Sequence, residues 1–245
     1  MIGSTAQLGG LARAARSLLG PGVSVGFGLP AEGDAAELFP AELACTTAMV
    51  FRRRNEFAAG RAAVRMAAMA DGTKPFAVPM GVDRAPVWPA GIVGSIAHTS
   101  DVCLAAISRS KRYAAIGIDI EHCAALPPDI AVEVVHGGDG LELESGPAPL
   151  PKHYGVAVFS AKEAVYKCQF PLTETILDFD ALSIGFMPQS HRFVARFEER
   201  VGSFRAGDKL DGGYAFVGDH VLTVASIPRE RWEKMTSCEV QAAHG

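Results

Sequence analysis

Two short segments of this 245-residue chain hold residue types suited to phosphate chemistry. One is Gly117-Ile118-Asp119-Ile120-Glu121 and the other Phe159-Ser160-Ala161-Lys162-Glu163-Ala164-Val165-Tyr166-Lys167. In an extended segment residues two apart share a face, which aligns Asp119 with Glu121. In a helix residues four apart share a face, which aligns Glu163 with Lys167. If the two elements pack together, three carboxylates can hold a hard divalent cation such as magnesium, and the lysine can meet phosphate oxygens bound by the same cation. That equipment suits the making or breaking of a phosphate ester.

The spacing predicts a strand over Ala114–Glu121, with Ile116, Ile118 and Ile120 on the buried face opposite the acids, and a helix carrying Glu163 and Lys167. Taken alone, a D-x-E on a strand or a Glu/Lys pair on a helix is most simply a solvated surface feature. An exposed pair of the second kind contributes only about 0.3–0.5 kcal/mol. Upstream, Glu42–Ala70 reads as one or two helices stopped by Asp71-Gly72, followed by a loop-rich connection from Lys74 to Gly94. Val102–Ile107 reads as a strand that pairs antiparallel with Ala114–Glu121 across the basic turn at Arg109–Arg112. Pro127–Pro151, rich in glycine, proline and acids, reads as a mobile loop with a short helix at its start. Strands are expected at Ala181–Phe186, Arg192–Phe197, Tyr214–Val217 and Val221–Ile227, the last two joined by a hairpin turn at Gly218-Asp219-His220. Helices and antiparallel strands in both halves make an α+β fold, with no strong repeat between the halves.

Cations cluster earlier in the chain. Arg53 and Arg61 lie eight residues apart on a predicted helix, a little over two turns, so both could reach one anion from the same face. Arg84 sits in a proline-rich loop, Val82–Pro89, whose stiff backbone could aim it at a phosphate. The small, polar run Gly94-Ser95-Ile96-Ala97-His98-Thr99-Ser100 would let a ligand approach the backbone, and the imidazole of His98 can donate to a phosphate oxygen. Each of these residues, met singly, is more simply an exposed charge or a structural histidine. Trp88 and Tyr166 read as core aromatics.

Composition bounds the function classes. Hydrophobic residues make up 49% and charged residues 20%, which excludes a mainly disordered chain. A net charge of −4 with a pI near 6.0 argues against a general nucleic-acid binder, which needs a cationic surface. The five cysteines form no CxxC pair and are expected to be reduced thiols of a cytoplasmic protein. The first twenty residues lack the order of a secretory signal, and no apolar run reaches membrane-spanning length. The seven histidines are scattered and none pairs with a cysteine at ligand spacing, so no zinc site is expected.

Read together and in order, these segments resemble the 4′-phosphopantetheinyl transferases, in particular the long single-chain type of surfactin and enterobactin synthesis. The resemblance rests on Arg53–Ala68, the run W-P-x-G-x-x-G-S-I-x-H from Trp88 to His98, G-I-D-I-E from Gly117 to Glu121, and F-S-A-K-E-x-x-x-K from Phe159 to Lys167. It implies a pseudo-dimeric fold, two similar α+β halves with antiparallel sheets, here 1–112 and 113–245, and a cleft for coenzyme A between them. It implies transfer of the phosphopantetheine arm of coenzyme A to a serine of apo carrier proteins of fatty-acid, polyketide or nonribosomal-peptide synthesis, with release of adenosine 3′,5′-bisphosphate. Asp119, Glu121 and Glu163 would be the magnesium ligands. Glu163 would also serve as general base, and Lys167 would neutralise the pyrophosphate. Arg53, Arg61, Arg84, Ser95, His98, Asp119 and Lys167 would surround coenzyme A, with His98 near its 3′-phosphate.

Two positions depart from the family pattern. Ala97 stands where many relatives carry a hydroxyl residue, and Val135–Gly140 is richer in glycine than the helical segment expected before the catalytic helix. A monomer is expected, with no nucleic-acid or membrane partner. The competing readings are a magnesium-dependent nucleotide pyrophosphate hydrolase and a catalytically silent coenzyme A-binding regulator.

Overall fold

A computed structural model describes residues 5–143, 146–148 and 154–242. The chain divides between Ser110 and Lys111 into two compact units.

The first unit is built on α3, Phe51–Ala70, preceded by α1 (Thr5–Leu19), β1 (Val23–Gly28) and a single turn of helix, α2 (Pro40–Leu43). Alanines dominate α3, giving high helix propensity and a smooth surface, and Ala59, Ala63, Ala67 and Ala68 are all buried. The helix ends where the Asp71-Gly72 pair predicts. Gly72 takes φ 71°, and the amides of Gly72 and Thr73 donate back to the carbonyls of Met69 and Ala68, a Schellman closure. Strands β2 (Ile92–His98) and β3 (Cys103–Arg109) follow, and the sheet runs β1-β3-β2, antiparallel throughout. The loop expected up to Gly94 therefore gives way to strand at Ile92. The small, polar Gly94–Ser100 run is mostly strand because its glycine serves packing: a Cβ at Gly94 would lie 2.7 Å from the Trp88 ring. Trp88 packs against the core, as its aromatic character suggests.

In the second unit, β4 (Tyr113–His122) leads to a short helix, α4 (Pro128–Val134), then β5 (Gly140–Leu143), β6 (Gly146–Ala148) and α5 (Gly155–Thr173). Strands β7 (Leu182–Met187), β8 (Arg192–Phe197), β9 (Lys209–Val217) and β10 (His220–Pro228) precede α6 (Arg229–Ala242). The sheet order is β4-β10-β9-β8-β7-β5-β6, antiparallel except for the parallel pair β5 and β7. The core beneath α5 is aromatic, with Phe186, Phe193, Phe197, Phe204 and Tyr214 fully buried. Gly218, at φ 62°, turns β9 into β10, as expected for that hairpin.

Three expectations need correction. β3 does not pair with β4: β3 lies between β1 and β2, while β4 pairs with β10, so adjacency in sequence was no guide to partner. Gly140–Leu143 and Gly146–Ala148, within the expected loop, are strands; Asp139 anchors the first by accepting the amide of Ile184 at 2.7 Å. Residues 144–145 and 149–153 of that segment lie outside the described residues. Finally, β4 does not alternate between buried and solvated faces. It is buried from Tyr113 through Ile120, so Asp119 is an interior carboxylate, 4% exposed.

Candidate active site

Strand β4 and helix α5 meet at a glycine. A Cβ on Gly117 would lie 1.8 Å from the Ala164 carbonyl and 2.9 Å from the Cys168 Cβ, so only glycine lets the helix seat this closely. Because strand residues alternate, Asp119 and Glu121 point to the same side as Gly117, toward α5. A second contact fixes the helix against β10: the Thr223 hydroxyl donates to the Ser160 carbonyl at 2.7 Å and lies 2.8 Å from the Ser160 hydroxyl. Thr223 stands opposite Asp119 in the β4–β10 register.

The outcome is a group of three carboxylates and one ammonium. Lys167 Nζ donates to Asp119 Oδ1 at 2.6 Å, while Asp119 Oδ2 is buried with no hydrogen-bond partner. Burial pushes Glu121 up to about 7; the charges of Asp119 and Glu163 add to the rise and Lys167 opposes it. Glu163 is also raised, by burial first, with Lys167 lowering it and Asp119 raising it. Burial works against the ammonium of Lys167, but the charge and hydrogen bond of Asp119 and the charges of Glu163 and Glu121 outweigh it and raise its pKa. Three carboxylates facing one ammonium hold an excess of negative charge in a partly desolvated place. Hard oxygen donors with an unsatisfied buried lone pair fit a divalent cation such as magnesium.

In the first unit, Arg53 Nη1 lies 2.6 Å from His98 Nε2 and 3.3 Å from Glu56 Oε2. A guanidinium only donates, so His98 Nε2 accepts and its ring proton is on Nδ1. Arg84 is exposed at φ 67°, a left-handed conformation rare for side chains other than glycine. Ser95 is buried on β2 opposite Ala106. Arg61 turns inward: it is 7% exposed, its Nε donates to the Val78 carbonyl at 2.9 Å, and its guanidinium lies over the Phe57 ring. Burial lowers Arg61 to about 10, an effect that Glu42 partly offsets. The helical spacing of Arg53 and Arg61 thus does not make them alike, since Arg53 keeps a side chain 48% exposed.

Two residues that spacing did not single out support these groups. Glu56, three residues beyond Arg53 and four beyond Arg52 on α3, accepts from both and holds Arg53 toward His98; that i+3 and i+4 spacing was the available signal. Lys162, beside Glu163, is 2% exposed and donates to Asp139 Oδ2 and to the carbonyls of Val134 and Phe179. Nothing local in the sequence marks a lysine in an alternating helix as buried.

Three carboxylates and an ammonium set together on an α+β fold are residue types suited to a divalent cation and a phosphate-linked group. The N-terminal domain model of 4′-phosphopantetheinyl transferases matches residues 39–108, and the 4′-phosphopantetheinyl transferase superfamily model matches residues 115–225. The chain is 36% identical over 176 residues to the 4′-phosphopantetheinyl transferase Svp of Streptomyces mobaraensis, covering 71% of each chain. It is 32% identical over 180 residues to PptT of Mycobacterium tuberculosis, covering 70% of this chain and 76% of that one. Enterobactin synthase component D of Salmonella typhi is 34% identical over 143 residues, 57% of this chain and 58% of its own. The chain belongs to the 4′-phosphopantetheinyl transferase superfamily and is an enzyme that transfers phosphopantetheine to carrier proteins. Among the described residues no helix is long and apolar enough to cross a membrane.

Proposed function

We propose that the enzyme takes phosphopantetheine from coenzyme A, uses magnesium, delivers the group to a serine hydroxyl of apo acyl or peptidyl carrier proteins, and releases adenosine 3′,5′-bisphosphate. The observation that carries the reading is the seat formed by Asp119, Glu121, Glu163 and Lys167, in which Asp119 Oδ2 is buried without a partner. Asp119, Glu121 and Glu163 would hold the magnesium. When bound, the ion would offset negative charge on the pyrophosphate and stabilise its leaving oxygen.

The remaining steps belong to the chain's own residues. Glu163, its pKa raised by burial, accepts the proton of the attacking serine hydroxyl, directly or through a water. The serine oxygen attacks the β-phosphorus, the bond from that phosphorus to the bridging oxygen breaks, and the bisphosphate leaves with the bond's electron pair. Lys167, kept protonated by its acidic neighbours, neutralises charge growing on the pyrophosphate. Arg53, Arg84 and His98 hold the nucleotide portion, with His98 toward the 3′-phosphate, and the buried Ser95 supports the strand beneath. The enzyme acts in the cytoplasm as a monomer.

Release of adenosine bisphosphate from coenzyme A, measured with and without an apo carrier and with and without a chelator, tests this reading. Release that needs both carrier and magnesium is expected. Release without carrier would point to a pyrophosphate hydrolase, and tight coenzyme A binding with no turnover would point to a regulator.

A further inference from the structure

The segment from Lys74 to Trp88 forms no helix and no strand ladder, so its buried backbone groups need partners that a regular element would otherwise supply. Those partners are specific. Glu42 of α2 is fully buried, and its Oε1 accepts the Val78 amide at 2.8 Å. Its Oε2 accepts the Phe39 amide at 3.0 Å and Arg65 Nη1 at 3.2 Å. The Val78 carbonyl is taken by Arg61 at 2.9 Å, so both backbone groups of this buried residue are held by ionic side chains from two different helices. Two residues further on, the Met80 amide donates to Cys45 Sγ at 3.4 Å.

Beyond this clamp the chain closes on itself. Met80 bridges to Pro86, the Gly81 amide donates to the Ala85 carbonyl at 2.8 Å, and Val87 donates to the Pro79 carbonyl at 2.9 Å. The Arg84 amide donates to the Gly81 carbonyl at 3.0 Å, and Asp83 accepts the Ala85 amide. Arg84 sits at the tip, exposed and at positive φ. A turn this short has little freedom of its own; where its tip points is decided at Val78 and Met80.

We infer that Glu42 and Arg61 are positioning residues that fix the Arg84 turn through the backbone of Val78, so that Arg61 serves coenzyme A binding through this turn. The inference rests on the reading of Arg84 as a contact to the nucleotide. Ionic groups suit the task because a buried carboxylate with both oxygens hydrogen-bonded, as in Glu42, holds its donors in one arrangement.

The test is a double-mutant cycle on the KM for coenzyme A, with kcat and the KM for an apo carrier measured beside it. Arg84→Ala is expected to raise the KM for coenzyme A by about 10-fold or more, the loss of one charge-assisted hydrogen bond. Glu42→Gln turns an amide donor toward donors already present, and is expected to raise the same KM several-fold with kcat and the carrier KM little changed. In the Arg84→Ala background it should add less than about 2-fold, because the turn then has nothing to aim. Should Glu42→Gln fold poorly, Cys45→Ala removes the gentler contact at Met80 and is expected to show the same non-additivity at smaller size. If either variant raises the KM equally whether residue 84 is Arg or Ala, or lowers only the melting temperature, the inference fails while the Arg84 reading stands. If Arg84→Ala alone leaves the KM unchanged, the Arg84 reading fails and the inference with it.

Discussion

Asp119 has two unlike oxygens, one bound to Lys167 at 2.6 Å and one buried without a partner, and the chemistry proposed for the seat follows from that asymmetry. The lysine is kept charged, while the neighbouring acids carry more negative charge than it can offset. Glu163→Gln keeps the shape and removes the proposed base, so transfer to a carrier should fall by at least about 10²-fold. The melting temperature should not fall, because a partly buried carboxylate has become neutral; a variant with near-normal turnover would remove Glu163 from the role of base. Glu121 gives a second test, in metal-free protein. Its folded pKa, about 7, lies above the usual carboxylate value of 4.5, so between those values the folded chain binds more protons than the unfolded one. The contribution of this group is fully present below pH 4.5 and is lost as pH rises through about 7. Denaturation midpoints measured with a chelator should show Glu121→Gln gaining on the parent from pH 5 to pH 8. A constant difference would contradict the assignment. Residue-scale spacing made this seat legible, because two-residue and four-residue periods are local geometry. It did not reveal that Arg61 turns inward, since burial of a guanidinium depends on Val78 and Phe57, which meet it only after folding.

At the scale of elements, the site depends on how closely α5 lies on β4. Gly117→Ala would place a methyl carbon where the Ala164 carbonyl already is, and the helix would have to move. Destabilisation of about 1–3 kcal/mol or more is expected from such overpacking, with activity lost beyond the unfolded fraction as Lys167 draws away from Asp119. Urea denaturation and turnover of the folded protein would check both parts, and parental values in each would refute the close seat. Lys162 ties α5 to the Val134 carbonyl, the Asp139 turn and the Phe179 carbonyl. Lys162→Met leaves Asp139 charged and interior, and should cost about 3–5 kcal/mol in the same denaturation experiment. A cost below about 1 kcal/mol would show that Asp139 finds water. Helices and most strands were legible because their periods and stop signals are local: Asp71-Gly72 ended α3 and Arg192–Phe197 was a strand from end to end. Strand β2 was harder to read, because Gly94 is there to receive the Trp88 ring, a reason invisible without the fold.

For the whole molecule, class was easier to read than connection. Helices and strands in each half gave the α+β class, but no local rule pairs β4 with β10, a strand about a hundred residues away, in preference to its neighbour β3. Likewise Gly140–Leu143 has too little hydrophobic pattern to announce itself, and is a strand because Asp139 and β7 supply its partners. The sequence signal for the activity, by contrast, lies in a few local motifs that do not depend on which strands pair. The activity is tested most directly by the intact mass of several apo carrier domains after incubation with the enzyme, coenzyme A and magnesium, beside a chelator control. One phosphopantetheine added per carrier, only when magnesium is available, is the predicted result; unmodified carriers throughout, with coenzyme A demonstrably bound, would contradict the account.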